Sequence, residues 1–342
     1  MGTTVREQLE RRERETLSPY AARAAETRGR ARPEVEHDYR TAYQRDRDRI
    51  LHTKAFRRLK RKTQVFLAPE DDHYRTRLTH TLEAAQIART VARALFLNED
   101  LTEAIALGHD LGHTPFGHAG EAVLDKVFEE GFTHAEQSLR VVDRLESTRN
   151  GPGLNLTFEV RDGIRHHSKG RAMLDNAEGT PPCTLEGQVL SICDAIAYIN
   201  HDIDDACRAH VITLNDLPKD ALAVLGKTTS QRINSMAVAL IEGSRDGTIG
   251  MTREVLDATN VLRDFLYANL YPCPALNHEI RKAKRLFREM YNYLVAHPSD
   301  EILAGDPEVS VTRRTVDFMA GMTDQYALNL YARLFFPAGW QP

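Results

Sequence analysis

The chain has 342 residues and a mass of 38.6 kDa, with 42% hydrophobic residues and a formal net charge of −4. That hydrophobic content can supply a core, which excludes a globally disordered protein, and no apolar run approaches the roughly 18 residues of a membrane span. The start, MGTTVREQLERRERE, is charged where a secretion signal would be apolar, and no two cysteines have CxxC spacing. We therefore expect a cytoplasmic globular protein without a membrane segment, a disulfide scaffold or a cysteine-based zinc site.

The near balance of charge conceals an uneven distribution. Residues 1–62 contain 18 basic and 10 acidic residues, a net charge of +8, whereas the remaining 280 residues contain 27 and 39, a net charge of −12. Residues 1–35 are rich in Arg, Glu and Ala and have little apolar periodicity. We predict that 1–35 form a charged N-terminal arm, helical or partly mobile, and that 36–342 form a single helical domain.

Helical periodicity dominates from about residue 43 onward. In the segment 80–97 the apolar residues Leu82, Ala85, Val91 and Leu95 recur close to helical spacing. Alternation at period two is scarce, which favours an all-α fold. The further predicted helices are Leu101–Leu111, Gly120–Glu130, His134–Glu146, Leu185–Ala209, 218–242, 252–270, 276–296 and 311–335.

Two features set the expected limits of these helices. Asp100 or Thr102 is predicted to cap the start of the helix at 101–111, and Gly112 is predicted to end it. The stretch Glu146–Thr157 (ESTRNGPGLNLT) is rich in turn-forming residues and is predicted to be a loop.

The densest chemical signal is HDLGHTPFGH at 109–118, which contains His109, Asp110, His113 and His118 and is followed by Glu121. Adjacent side chains on a helix diverge by about 100°. His109 and Asp110 can therefore reach one ion only near a helix end or together with other helices. Gly108 and Gly112 flank the doublet and permit close approach of the backbone. Further metal ligands must come from elsewhere in the chain.

Two residues are candidates for those further ligands. His80 lies near the start of an amphipathic helix, and Asp194 lies inside the apolar segment VLSICDAIAYI, where a buried charge needs a partner. Two histidines and two carboxylates form a mixed set that suits Mn, Fe, Co, Ni, Zn or Mg. Taken singly, Asp194 is equally compatible with a helix–helix hydrogen bond and His80 with a structural role.

Together these residues carry a resemblance. The order His80, His109-Asp110, Asp194 resembles the HD superfamily of metal-dependent phosphohydrolases. The blocks 44–66, 75–83, 109–121, 194–206 and 317–324 resemble the bacterial deoxyguanosine triphosphate triphosphohydrolase-like proteins. The resemblance implies an all-α HD-domain phosphohydrolase fold with helical N- and C-terminal extensions. It places a metal-binding core at about 60–210 and a C-terminal helical part at about 211–342.

Members of that family cleave a deoxynucleoside triphosphate (dNTP) into the deoxynucleoside and inorganic triphosphate. The resemblance implies a divalent cation, with Mn²⁺ or Mg²⁺ foremost and Fe, Co, Ni or Zn also open, held by His80, His109, Asp110 and Asp194. It implies a catalytic His118 with Glu121 as its carboxylate partner, and His113 beside them. The implied substrate-binding residues are Gln64 and Asp202 with Tyr198 on the sugar, and Arg77 with His134 on the phosphates.

Helical geometry is compatible with two of these assignments. Asp194, Tyr198 and Asp202 are spaced at i, i+4 and i+8 on one helix face, and the helical rise separates the first from the last by about 12 Å. His118 and Glu121 are spaced at i and i+3, so the carboxylate can fix the tautomer of the imidazole. The pair at 166–167, two adjacent histidines, suggests either a second metal site or a role that is structural or supports the first metal site, and we favour the latter because no spaced carboxylate partner is visible.

Three functions remain open from the sequence. The first is a dNTP triphosphohydrolase, and the second is an HD phosphohydrolase acting on nucleoside monophosphates or alarmones. The third is a nucleic-acid-binding regulatory protein with weak catalysis, suggested by the basic N-terminal arm and the basic run 54–62. The resemblance also implies a homo-oligomer, a tetramer or hexamer, with a dNTP or single-stranded DNA as a possible effector.

Overall fold

The computed structural model describes residues 3–64, 74–149, 151–168 and 180–337. The all-α prediction is confirmed, because helices account for most of the described residues. The β-structure in these ranges is one short antiparallel hairpin, Ser147–Thr148 with Gly151–Pro152, and three isolated bridges. The hairpin lies within the predicted loop.

The first half of the chain contributes eight helices to the described residues, together with short 3₁₀ turns at Ala24–Glu26 and Leu59–Arg61 and a π-helical turn at Val141–Leu145. The helices are α1 (Val5–Thr16), α2 (Ala42–Leu51), α3 (Lys54–Arg58), α4 (Arg77–Ala94), α5 (Glu99–Gly108), α6 (His118–Val127), α7 (His134–Arg140) and α8 (Phe158–His166).

The second half begins with the longest described helix, α9 (Leu185–Arg208). It continues with α10 (Lys219–Leu225), α11 (Thr229–Gly243), α12 (Arg253–Phe265), a π-helical turn at Leu266–Leu270, α13 (Pro274–Ala296), α14 (Asp300–Leu303), α15 (Val311–Ala320) and α16 (Asp324–Phe335).

Two long predicted helices are each divided in the structure. The predicted helix 218–242 is interrupted after α10 by Gly226, whose φ of 101° belongs to the left-handed region that glycine tolerates. The predicted helix 311–335 is interrupted at Gly321, and the second part restarts from the side chain of Thr323, which accepts a hydrogen bond from the Tyr326 N–H. In both cases local turn chemistry overrides an apolar pattern that continues through the break.

The predicted limits of the helix at 101–111 were wrong. The side chain of Asn98 caps α5 by accepting a hydrogen bond from the Leu101 N–H at 3.1 Å, so neither Asp100 nor Thr102 has that role. The helix also ends at Gly108 instead of near Gly112. His109 consequently lies at the C-terminal cap of α5, outside the regular helix.

The predicted N-terminal arm packs against the body of the protein. Ala21 and Ala24 are buried in the main core, and the guanidinium of Arg30 forms an ion pair with the fully buried Asp46. The Thr27 hydroxyl donates a hydrogen bond to Glu159 at 2.6 Å. The division of the chain into an arm and one domain stays a prediction, but these contacts fix the end of the arm onto α2 and α8.

Two hydrophobic clusters organise the described residues. The larger one lies where α4 packs against α5 and α9, and it includes Val91, Leu101 and Ile196. The smaller one joins α6 to α13, α15 and α16 and includes Phe116 and Phe287. Among the described helices, none is both long enough and apolar enough to span a bilayer.

Candidate metal centre and active site

Three helices bring four of the predicted residues together at the larger core. His80 lies in the second turn of α4, His109 and Asp110 directly follow α5, and Asp194 lies in the middle of α9. His80 Nε2 is 2.9 Å from Asp194 Oδ1, and His109 Nε2 is 3.6 Å from the same oxygen and 3.5 Å from Asp110 Oδ1. We call these four residues the His/Asp cluster.

The donor atoms of the cluster fit a divalent cation. His109 Nδ1 is 2.6 Å from the carbonyl oxygen of Ala106, to which it donates its proton, so the lone pair of the neutral ring is on Nε2. That Nε2 is buried and has no hydrogen-bond partner. Ligand atoms of His80, His109 and Asp194 all lie within 4.8 Å of one another. A buried lone pair facing two carboxylates is the arrangement that a cation satisfies.

The carboxylates of the cluster are held in their charged form. Burial acts in the opposite direction, but the neighbouring His109 and Arg77 lower the pKa of Asp110, and His109 and His80 lower the pKa of Asp194. Arg77 is itself buried and donates from Nη1 to Asp110 Oδ2 at 2.8 Å. Two ionised carboxylates supply the negative charge that a dication needs.

Close backbone packing positions the loop that carries the HD doublet. A side chain at Gly112 would collide with the backbone nitrogen of Ser138, so α7 can approach the loop only because residue 112 is glycine. The Ser138 hydroxyl donates to His109 O at 2.6 Å and accepts from the Gly112 N–H at 2.8 Å. Phe116 and Gly117 then turn the chain with φ of 63° and 56°, and α6 begins at His118.

Glu121 holds two histidines at once. Its Oε2 is 3.0 Å from His118 Nδ1, and its Oε1 is 2.8 Å from both the backbone nitrogen and Nδ1 of His134. Burial acts to raise the pKa of Glu121, but His134 and His118 outweigh it and hold that pKa well below its usual range. The side chain of His118 is 62% exposed, so its Nε2 is free to meet a ligand, whereas His134 is buried.

His167 also lies at the site, next to His134. His167 Nδ1 donates to the Ile164 carbonyl at 2.7 Å, and His134 Nδ1 donates to Glu121, so both Nε2 atoms face each other, 3.1 Å apart, without those protons. Two lone pairs would repel at this distance, so one of the two rings must carry a further proton on its Nε2, which it donates to the other ring. Burial acts to lower the pKa of His134, but the Glu121 carboxylate outweighs it, and the pKa of His134 is raised. Burial lowers the pKa of His167 to about 3. The charge consequently lies on His134.

The separation of residues 134 and 167 in the sequence does not predict this pair. The only signal in the sequence is a histidine that directly follows a helix end.

His113, also a predicted site residue, is buried, and its ring stacks on that of His134 with centroids 4.1 Å apart. His113 Nε2 is 3.7 Å from Asp110 Oδ1. Burial, reinforced by Arg77, lowers the pKa of His113 well below its usual value, so this ring is neutral.

The remaining predicted residues lie on two sides of the cluster. Asp202 is fully buried two turns along α9 from Asp194, and it accepts a hydrogen bond from the Tyr271 hydroxyl at 2.6 Å. The rings of Tyr198 and Tyr271 stack with centroids 6.2 Å apart. Tyr271 follows a π-helical turn far along the chain, and the sequence reasoning missed it. Gln64 is buried, and its side-chain oxygen has no hydrogen-bond partner.

A cavity of about 780 Å³ lies behind the loop, away from these side chains. Lys62 and Gly112 form part of its wall, together with Arg58, Arg140 and Asp317, and none of the twelve predicted site residues lines it. The chemistry of the donor atoms, and not the size of this cavity, identifies the candidate site.

Comparison with known proteins agrees with the geometry. Residues 77–199, which contain the whole His/Asp cluster, match the HD domain, and residues 249–333 match the phosphohydrolase-associated domain. The deoxyguanosinetriphosphate triphosphohydrolase-like protein of Caldanaerobacter subterraneus subsp. tengcongensis is 53% identical over 340 residues, 98% of this chain and 97% of the relative. The chain belongs to this family of deoxyguanosinetriphosphate triphosphohydrolase-like proteins.

A second member of the family agrees in length as well as in sequence. The relative of the same name from Desulfatibacillum aliphaticivorans is 50% identical over 348 residues, 98% of this chain and 99% of the relative. Among solved structures, a phosphohydrolase from Bacteroides thetaiotaomicron has a TM-score of 0.51 and 16% identity, covering 84% of this chain and 69% of that one. This likeness concerns the overall fold alone. Membership of the deoxyguanosinetriphosphate triphosphohydrolase-like family and the HD domain support a phosphohydrolase.

Proposed function

We propose that the protein is a metal-dependent dNTP triphosphohydrolase that converts a dNTP and water into a deoxynucleoside and inorganic triphosphate. The observation that carries this proposal is the buried, unpartnered His109 Nε2 within the cluster of His80, Asp110 and Asp194. Mn²⁺ or Mg²⁺ is the cation we expect there. When bound, such a cation polarises a phosphoryl oxygen and lowers the pKa of a coordinated water.

Cationic side chains beside the cluster support an anionic substrate. Arg77 carries a guanidinium whose Nε has no hydrogen-bond partner, and His134 carries the charge stabilised by Glu121. Arg77 contacts Asp110 directly, and ligand atoms of His134, His113 and Asp110 lie within 4.8 Å of one another. A triphosphate, with about four negative charges, suits this arrangement, through charge-assisted hydrogen bonds from Arg77 and attraction by the nearby charge of His134.

The sugar end is proposed farther along the same face of α9. Tyr198 lies about one helical turn, or about 6 Å, from Asp194, and Asp202, which Tyr271 contacts, lies about two turns, or about 12 Å, from it. That separation suits a deoxynucleoside extending from an α-phosphate at the cluster. Gln64, with an unpaired side-chain oxygen, offers an acceptor for a sugar hydroxyl.

His118 is proposed to move the proton. Hydrolysis breaks the bond between the α-phosphorus and O5′, water supplies the new oxygen on phosphorus, and O5′ must gain a proton. Because Glu121 holds His118 at Nδ1, the atom that exchanges the proton is Nε2. The direction of that transfer, from water or to O5′, is open, and the pH dependence of kcat with a substrate bearing a better leaving group decides it.

A panel of the four dNTPs, with Mn²⁺ or Mg²⁺ and with chelator, tests the proposal. Anion-exchange separation should identify triphosphate and deoxynucleoside, and the chelated protein should be inactive. Release of orthophosphate or pyrophosphate would reject cleavage at the α-phosphorus. Preference for a nucleoside monophosphate or an alarmone in the same assay would favour the alternative HD phosphohydrolase.

The assembly and the effector are also proposals. The family suggests a nucleotide substrate, and we propose a homo-oligomer, a tetramer or hexamer, with a dNTP or single-stranded DNA as effector and a cytoplasmic location. Light scattering with and without dNTP measures the oligomer. Salt-dependent binding of single-stranded DNA that survives loss of the His/Asp cluster would support a nucleic-acid-binding role.

A further inference from the structure

The second ring nitrogen of His80 points away from the cluster, toward another buried histidine. His80 Nδ1 is 3.3 Å from His201 Nδ1, and the two rings meet edge to face with an interplanar angle of 89°. Both rings are buried. On its far side, His201 Nε2 is 3.0 Å from Oε2 of Glu83, a residue whose side chain is 43% exposed.

Glu83, the acceptor at the end of the series His80, His201, Glu83, determines where the protons lie on the two histidine rings. An ionised carboxylate can only accept, so His201 Nε2 must carry the proton that faces Glu83. A neutral imidazole with its proton on Nε2 has a lone pair on Nδ1, which accepts the Nδ1–H of His80. His80 Nε2 is then the atom left to bind a cation; without a cation it donates a proton to Asp194 Oδ1, 2.9 Å away.

Arg75 anchors the outer end of this series. Its Nε donates to Glu83 Oε2 at 3.1 Å, and its Nη1 lies 2.8 Å from Asp204 and 2.9 Å from Asp205. The Arg75 guanidinium holds the Glu83 carboxylate at the position where it can accept from His201.

The two histidines of the cluster are therefore oriented differently. His109 donates to the carbonyl of Ala106, a group that every sequence supplies, whereas His80 depends on the side chains of His201 and Glu83. We propose that His201 and Glu83 are positioning residues, which hold His80 in its Nδ1–H tautomer so that Nε2 faces the divalent cation. The inference rests on the proposed cation site at His80 and is independent of the substrate.

Two variants of His201 separate positioning from packing. In His201→Asn the amide oxygen can still accept from His80 Nδ1, whereas in His201→Leu no acceptor remains. Loss of a partner that orients a metal-bound histidine costs about 10- to 100-fold in metal affinity. We expect His201→Leu to weaken Mn²⁺ binding by this factor, measured by calorimetry on chelator-stripped protein, and His201→Asn to retain most of the affinity.

A spectroscopic readout reports the tautomer itself. Long-range ¹H–¹⁵N correlation of histidine-labelled protein loaded with diamagnetic Mg²⁺ should show His80 as the Nδ1–H form in the wild type and a loss of that form in His201→Leu. Because His201 is buried, Glu83→Ala, at a partly exposed position, supplies a second test that does not disturb the core. It should weaken Mn²⁺ binding in the same direction, and Glu254→Gln, an exposed change on α12, is the matched control.

Three results would overturn the inference: equal losses in His201→Leu and His201→Asn, unchanged affinity and tautomer in Glu83→Ala, or an unprotonated His80 Nδ1 in the wild type loaded with Mg²⁺. Failure of the proposed function is distinguishable from these. A protein that binds Mn²⁺ in a His201-dependent manner but releases no triphosphate from any dNTP would retain this inference and lose the dNTP activity.

Discussion

Asp324, the first residue of α16, accepts a hydrogen bond from the backbone N–H of Phe116 at 3.0 Å. Its other oxygen accepts from the Thr63 N–H at 2.8 Å and from the Thr63 hydroxyl. Phe116 forms the left-handed turn immediately before α6, which begins at His118. A residue near the end of the chain therefore holds the turn that sets the direction of the proposed catalytic histidine.

Asp324→Ala should lower both stability and activity. The change removes the acceptor of the buried Phe116 N–H and the two hydrogen bonds from Thr63 to Asp324, and an unmet buried donor costs about 1–3 kcal/mol. Asp324→Asn, which retains one acceptor oxygen, should have a smaller effect. Urea unfolding and kcat measure the two consequences, with the exposed Asp220→Ala as control. Equal results for Asp324→Ala and Asp220→Ala would contradict the role of this carboxylate.

His118→Ala should reduce kcat while the metal content stays unchanged. Loss of a positioned proton-transfer group typically costs about 10²–10⁴-fold in rate. His118 is not in the His/Asp cluster, so metal bound per chain, measured by elemental analysis, should match the wild type. His80→Ala should lose the metal, and His278→Ala, an exposed histidine on α13, should change neither quantity. Wild-type kcat in His118→Ala would remove it from the mechanism.

Tyr271→Phe should alter the pH dependence of KM. Burial raises the pKa of Asp202 to about 7, and the hydrogen bond from the Tyr271 hydroxyl lowers that pKa. Without the hydroxyl the pKa of Asp202 should rise further, so the carboxylate form disappears at a higher pH. If this carboxylate binds the sugar, KM at pH 7 should increase about fivefold, as expected for about 1 kcal/mol of one lost hydrogen bond. Tyr326→Phe, at an exposed position, is the control; an unchanged KM profile in Tyr271→Phe would place Asp202 outside the substrate site.

Glu186→Gln should make the protein more stable at high pH. Burial raises the pKa of Glu186 to about 7, against hydrogen bonds from the Asn98 and Ala22 N–H groups to Oε1, and Oε2 has no hydrogen-bond partner. Because the folded-state pKa lies above the unfolded value, this group stabilises the fold below about pH 4.5, and the contribution is lost as pH rises through 7. The loss is on the order of 3 kcal/mol.

The variant cannot ionise, so the difference in unfolding free energy between Glu186→Gln and the wild type should widen from pH 5 to pH 8. Urea titrations at four pH values measure it, and Glu254→Gln should run parallel to the wild type. A constant difference across this range would show that Glu186 does not titrate with a raised pKa.

The sequence predicted most helices because their apolar spacing is local information. α9 begins at its predicted residue, Leu185, and α13 starts two residues before its predicted limit. The breaks at Gly226 and Gly321 escaped prediction because the apolar pattern continues across them while the turn depends on one or two residues. The N-terminal cap of α5 was mispredicted for a similar reason, because Asp100 and Thr102 are residue types as suitable for capping as Asn98.

The sequence by itself determined the chemical types at the candidate site: two histidines and two aspartates in a fixed order as metal-binding residues, with His118 and Glu121 three residues apart. Only the tertiary structure decided which lone pairs face one another. His167, His201, Tyr271 and Asp324 entered the site because helices distant in the chain pack together, and burial makes each of their polar atoms require a partner. Residue type and spacing are properties of the chain, whereas tautomer, charge and access depend on what packing places within about 3 Å.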